Sequence, residues 1–387
     1  MTRPLSARPA PGVLGVALFA FIVLGMAHES LGVAWPSMRG QFDRPISDLG
    51  LLLAFSSTGY LVASGAYGWA YRRTGTGALL TLGSSLICLG LAGVSLARGW
   101  PLVAGAALSM GLGGGLTDTG LNAHAALSFD LRSINLLHGA YGIGATLGPL
   151  VITASLASGL LWRGGYGLVA ILQLLVLAAV WATRHNWAED QADDVGGGLE
   201  SPAGSMWLMI VLFFLYTGVE VAAGQWAFTL LTEARGMATG PAGIWVATYW
   251  GGLTIGRLGF GVIGNGLSAS SILNGSIVTA LTGLLILWLD PGGFGFAGLP
   301  IAGLGLAAIF PTLVSLTPGR IGRERSTSSI GYQLAAASLG AATIPWALGI
   351  VAEARGVPAL GPGLFVAGVV LAAVHLTGNR PRRAVSS

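Results

Sequence analysis

Lysine is absent from this chain, cysteine occurs once, and only 9% of its 387 residues carry a formal charge. The single Cys88 leaves no intramolecular disulfide and no cysteine-based metal cluster. A soluble domain is roughly a quarter charged, so this scarcity excludes a water-facing surface over most of the chain. What is present is apolar: 53% hydrophobic residues and a mean hydropathy of +0.74, a composition that must face lipid. The isoelectric point of about 9.6 would suit a nucleic-acid binder, yet the basic residues are all arginine and fall mainly in short connections. That distribution is a topology signal, and no nucleic-acid partner is expected. The first apolar run, Gly12 to Trp35, is longer than a signal-peptide core and ends in a poor cleavage site, so it reads as a retained helix.

Apolar windows bounded by charge, Pro or Gly predict twelve spans: 12–35, 48–71, 78–97, 101–128, 134–159, 164–183, 206–232, 240–264, 270–289, 294–317, 326–352 and 357–377. Continuous runs of this length are helices; a membrane barrel would show strands of about ten residues with alternating polarity. The expected fold is an all-α membrane protein of two six-helix bundles, residues 1–183 and 206–387. They are joined by a polar cytoplasmic linker, 184–205, carrying Glu189, Asp190, Asp193, Asp194 and Glu200. Loop arginines divide unevenly. Arg3, Arg8, Arg72, Arg73, Arg132, Arg184, Arg320, Arg323, Arg325, Arg380, Arg382 and Arg383 lie on one side, against Arg39, Arg44, Arg98, Arg163, Arg235 and Arg355 on the other. This bias puts both termini in the cytoplasm, and the expected location is a multi-pass position in a bacterial inner membrane.

The halves repeat each other. Gly111-Leu112-Gly113 in span four matches Gly303-Leu304-Gly305 in span ten; Gly144 and Pro149 match Gly340 and Pro345; Gly59 and Gly68 match Gly252 and Gly261. With an even number of spans per half, the copies share one orientation and are related by an axis along the membrane normal, which suits a rocking transporter. Small residues let such helices approach closely.

Inside the apolar spans stand four formal charges, Glu29, Asp118, Glu220 and Arg257. Each costs at least a few kcal/mol in a bilayer unless paired or functional. A buried carboxyl that can be protonated is the physical basis of proton coupling, and Asp118 is the first candidate, with Glu29 and Glu220 next. Structural hydrogen bonding between helices is the competing role. Arg257 either pairs with Glu220, across about 10 Å of depth, or snorkels to the headgroups. Glu220, Gln225 and Trp226 could bind hydroxyls and cover the apolar face of a sugar ring. Asn122 lies one turn from Asp118, His138 and Tyr141 share a face of span five, and Tyr249, Trp250, Tyr332 and Gln333 could form the opposite wall. Packing is the commoner role of a lone membrane Trp or Tyr. His28, His124 and His138 lack metal-type spacing, so no metal site is expected.

Four stretches carry a family resemblance. They are Gly111 to Asn122, Ile134 to Ala145, Tyr216 to Trp226 and Trp250 to Arg257. In these the chain resembles the major facilitator superfamily, and within it the fucose:proton symporters and the related sodium-dependent glucose transporter-like proteins. It departs from the superfamily pattern between spans two and three, where Arg72 stands at the acidic position. Its span-one acid, Glu29, falls about one turn early. The resemblance implies a proton-coupled symporter of a sugar or similar polar solute; an exporter of drugs or other amphipathic compounds is the alternative. Sodium is the other candidate ion. No cofactor is called for, and the expected partners are a carbohydrate-like solute and the bilayer, with the chain acting as a monomer. No Ser nucleophile motif, Lys-containing phosphate loop or His/Asp metal cluster supports an enzyme.

Overall fold

The computed structural model describes residues 12–187, 204–263, 267–321 and 326–378. Most of linker 184–205, together with Arg3, Arg8, Arg323, Arg325, Arg380, Arg382 and Arg383, lies outside the described residues. Among the described residues there is no strand. The helices are α1 Val13–Glu29, α2 Leu31–Phe42, α3 Asp48–Leu96, α4 Trp100–Ser128, α5 Leu131–Ala157, α6 Leu161–Ala182 and α7 Gly204–Thr229. They continue as α8 Thr239–Ile263, α9 Ala269–Leu289, α10 Gly298–Leu306, α11 Ile309–Ile321, α12 Ser326–Arg355 and α13 Leu360–Gly378.

Three of these elements differ from a simple row of spans, each for a local reason. The first span is not one rod ending at Trp35: α1 and α2 form a pair bent by 43° at Ser30 and running to Phe42. Ser30 Oγ donates to the Met26 carbonyl at 2.6 Å, and such back-bonding bends helices. Pro36, further along α2, withholds an N–H from the same stretch. Spans two and three form one element, α3, folded back at Gly75, whose φ of 76° and ψ of 165° no side-chain-bearing residue adopts readily. The tenth span is α10 and α11 in succession, broken at residues 307–308, where Pro311 removes the N–H that would bond to Ala307.

Among the described residues, counting the limbs of α3 separately and each broken pair as one gives twelve helical crossings. Eight helical stretches among them are long and apolar enough to span a bilayer, and α1–α2 makes a ninth. The second limb of α3, with α4 and α8 at 29 and 25 residues, completes the set. The fold is thus the expected all-α arrangement of two pseudo-symmetric six-helix bundles.

Backbone approach shows the repeat directly. A Cβ on Gly111 would strike the Ser56 carbonyl, and one on Gly303 would strike the Tyr249 carbonyl; Gly59 faces Leu108 as Gly252 faces Pro300. Likewise Gly144 lies on the Ile22 carbonyl and Gly340 on that of Phe214. Three of the glycine pairs legible in the sequence, Gly111/Gly303, Gly59/Gly252 and Gly144/Gly340, are therefore equivalent helix crossings, whereas Gly68 faces open space. Between the halves, α5 meets α8, α3 meets α12 and α2 meets α7.

The α5–α8 contact runs from Gly243 on Thr153 to Gly142 on Thr254, and the polar pairs between helix ends lie on the face where α2 ends and α3 begins. There Arg39 pairs with Glu233 at 2.6 Å, Ser47 donates to Glu353 at 2.6 Å, Gly50 lies against Trp346, and Gly32 lies on the Gln225 backbone. The other face, where α1 begins and α13 ends, is looser. A recess of about 380 Å³ opens there between α5 and α8, lined by Arg132, Asn135, Leu136 and Leu258.

Candidate functional site

Glu29 is the last residue of α1, at the Ser30 break. Tyr141 of α5 donates to its Oε1 at 3.1 Å, and Gln225 of α7 donates to its Oε2 at 3.2 Å. The same Gln225 nitrogen lies 3.5 Å from the His28 carbonyl, next to the break. One carboxylate thus joins an N-terminal helix pair to a C-terminal helix.

Asp118 of α4 is held from its own half. Tyr60 of α3 donates to Oδ2 at 2.6 Å, and Asn122, one turn on, donates to Oδ1 at 2.9 Å. The expected Asp118–Asn122 face is present, and Tyr60 completes it. His28 and His138 lie within electrostatic range of Asp118, as does Tyr141. His138 is exposed, its ring edge-on to Phe21 of α1.

Glu220 of α7 makes the charge pair that spacing left open. Arg257 of α8 reaches both carboxylate oxygens at 3.1 Å, so it does not snorkel to the headgroups. Tyr216, one turn before Glu220, donates to the same carboxylate, and Tyr249 donates to the Glu220 carbonyl at 2.7 Å. Glu220 and Arg257 are both within electrostatic range of Glu29. Three carboxylates therefore surround one central region, and only Glu220 has a cationic partner among the described residues.

Of the expected wall residues, Tyr249 reaches the Glu220 backbone, and several others are packed between helices. Trp226 is fully buried and donates to the Pro345 carbonyl at 3.0 Å, so its indole is packed between helices. Tyr249 and Trp250 are buried too, the Trp250 ring lying on Gly224. Gln333 is buried and exchanges hydrogen bonds with Thr317. Tyr332 is half-buried on α12. His124 packs edge-on to Phe129 and Trp187. Among the described residues no group of His, Cys, Asp and Glu could hold a metal ion. Tyr60 and Tyr216 are the residues sequence reasoning missed. Tyr216 had a signal, its four-residue spacing from Glu220; Tyr60 had none.

Residues 17–345 match the family model described as Major Facilitator Superfamily. The chain belongs to this superfamily. Its similarity to an uncharacterised MFS-type transporter of Yersinia pestis is 26% identity over 346 residues, covering 86% of this chain and 87% of the relative. To the glucose/mannose transporter GlcP of Bacillus subtilis (strain 168) it is 22% identical, with 85% of each covered. Among solved structures, a mutant of the nucleoside transporter NupG superposes with a TM-score of 0.80 at 13% identity, covering 95% of this chain and 99% of that one. A bacterial homologue of the human lysosomal transporter Spinster, described as inward-facing and unoccupied, gives 0.74 at 13% identity, with 96% of each covered. This major facilitator chain is a multi-pass membrane transporter of a small molecule, not an enzyme.

Proposed function

We propose that the protein is a proton-coupled symporter of a sugar or similar small polar solute, working by alternating access. The observation that carries this reading is Glu29: a carboxylate inside the membrane, held only by neutral donors, one from each half. Ionised, it resists being enclosed in a low-dielectric interior; protonated beside a bound solute, it does not. A carrier built so crosses over readily only when loaded. Asp118, held by Tyr60 and Asn122, is the second coupling acid, while Glu220, offset by Arg257, serves the solute site and the C-terminal half. The hydroxyl and amide groups of Tyr141, Gln225 and Asn122 suit a polyhydroxylated solute. The glucose/mannose transporter among its relatives supports this choice.

In this reading residues 1–183 and 206–387 rock as two bodies about linker 184–205, and the loose face is cytoplasmic. The loop arginines favour this placement, twelve on the loose side against six on the other. Proteoliposomes with an internal pH indicator test the reading. Inward solute flux should carry protons with it; solute efflux driven by inward protons would mark an exporter, and transport that needs sodium at constant pH would replace the ion.

A further inference from the structure

His28, the residue before Glu29, is half-buried, and neither of its ring nitrogens has a hydrogen-bond partner among the described residues. Its imidazole lies on α4 at Gly114, one turn before Asp118 and on the same helical face. A Cβ on Gly114 would come within 3.1 Å of Nε2 and 3.3 Å of Cε1, so glycine gives the ring its room. The ring centroid is 6.4 Å from that of Tyr141, whose hydroxyl donates to Glu29. At 1.5 Å per residue from the loose end of each helix, Asp118 stands about 15 Å deep, Gly114 about 21 Å, His28 about 22 Å and Glu29 about 24 Å. The imidazole is thus level with the glycine it touches and lies in depth between the two acids. Side chains lean toward the N-terminus of their own helix, so His28 leans toward the loose face and Asp118 away from it, toward the imidazole. Facing the ring are Asp118 from α4 and Tyr141 from α5, with Glu29 beside it on α1 and Gln225 of α7 on its backbone carbonyl. The Glu220–Arg257 pair is within electrostatic range of Glu29.

We propose that His28 passes the proton between Glu29 and Asp118, making the two acids one relay that opens to the loose face at Asp118. The proposal rests on the symporter reading above and adds the route its proton takes. An imidazole with both nitrogens uncommitted accepts a proton on one and releases a proton from the other. The O–H bond of Glu29 breaks as an N–H bond forms on His28; an N–H bond of that imidazolium then breaks as an O–H bond forms on Asp118. Glu29 ends ionised, Asp118 neutral, and His28 unchanged in charge. Each transfer runs directly or through one water, the reach of general acid–base transfer. The hydrogen-bond partners of Glu29 offer no such exit, because Tyr141 and Gln225 are a phenol and an amide, groups that donate to a carboxylate without taking on its proton.

The test is time-resolved infrared spectroscopy of the purified full-length protein after light releases protons from a caged acid, with the Glu29 carboxyl band identified by its loss in Glu29→Gln. No solute is needed. His28→Gln, which fills the space but carries no proton, should slow protonation of Glu29 about a hundredfold, the low end for one positioned proton-transfer group. The pH at which Glu29 is half protonated should stay close to the wild-type value, because a relay sets the rate and not the equilibrium. Asp118→Asn, which removes the outer end, should slow the same band. His28→Ala should be slow as well and recover most of the loss when free imidazole is added. Thermal unfolding checks that each variant folds, and His28→Asn replaces His28→Gln where the latter does not. Wild-type speed in His28→Gln or in Asp118→Asn overturns the proposal and leaves the symporter reading standing. So does slowing in His28→Ala that imidazole fails to relieve, or a midpoint in His28→Gln that moves with the rate, since either marks a packing role. A Glu29 carboxyl that takes up no proton at any pH at which the protein stays folded overturns both.

Discussion

Arg257 and Glu220 meet because their helices run in opposite directions. Side chains lean toward the N-terminus of their own helix, so Arg257 on α8 leans toward the sealed face and Glu220 on α7 toward the loose one. The leaning and the length of Arg close the depth gap that straight-rod spacing leaves, giving contacts of 3.1 Å. Arg257→Ala would strand a buried carboxylate. It is expected to cost about 3 kcal/mol, the low end for a broken buried pair because Arg257 is partly exposed. Glu220→Gln should cost less, and the Glu220→Gln/Arg257→Gln double variant should recover most of the loss in detergent thermal unfolding.

Glu29→Gln and Asp118→Asn should each abolish proton-driven accumulation while leaving solute exchange across the membrane. Counterflow in proteoliposomes separates the two activities. Full accumulation in either variant removes that acid from coupling.

The sealed face depends on polar contacts between the halves, Arg39–Glu233 and Ser47–Glu353. Arg39→Ala with Ser47→Ala should weaken closure by about 0.5–2 kcal/mol, given the usual worth of exposed pairs. In a Cys88→Ser background, spin labels at Asp43 and Gly356 should then report a larger long-distance population. The charge swap Arg39→Glu/Glu233→Arg should restore the short distance.

Gly111→Ala and Gly303→Ala, in equivalent crossings, should each cost about 1–3 kcal/mol, since the added methyl meets a backbone carbonyl that cannot turn away. Gly65→Ala, which faces open space, should be neutral or slightly stabilising. Thermal unfolding of the three variants checks the contrast.

At the start of α5, Asp130 accepts a hydrogen bond from Ser133, side chain and backbone alike favouring its charged form, so its carboxyl ionises below the usual carboxylate range. A depressed folded value means that the cap's contribution is complete above the unfolded pKa and fades as pH falls through the folded one. Exchange protection of the Ser133 amide should therefore persist into mild acid and drop below it. Asp130→Asn, which caps without a charge, should flatten that dependence.

Much of the fold was legible before any coordinates, because an apolar run of twenty residues has few alternatives and the glycine pairs mark backbone crossings. The break at Ser30 was not, since one back-bonded hydroxyl leaves no periodic trace. The site was half legible. Glu29, Asp118, Glu220 and Arg257 stand out as charges in hydrocarbon, and Asn122, Tyr141 and Gln225 do reach them. Trp226, Trp250 and Gln333 pack between helices, because periodicity gives the face of a helix but not the neighbour that covers it. Tyr60 was missed for the same reason, its partner lying on another helix.

Gly75 joins the limbs of α3 with no loop between them. A connection without slack behaves as a crank: any rotation of the first limb, which abuts α12 near Gly50 and Trp346, turns the second limb with it. Lengthening this corner by a few flexible residues should uncouple the two and slow turnover while leaving solute affinity intact.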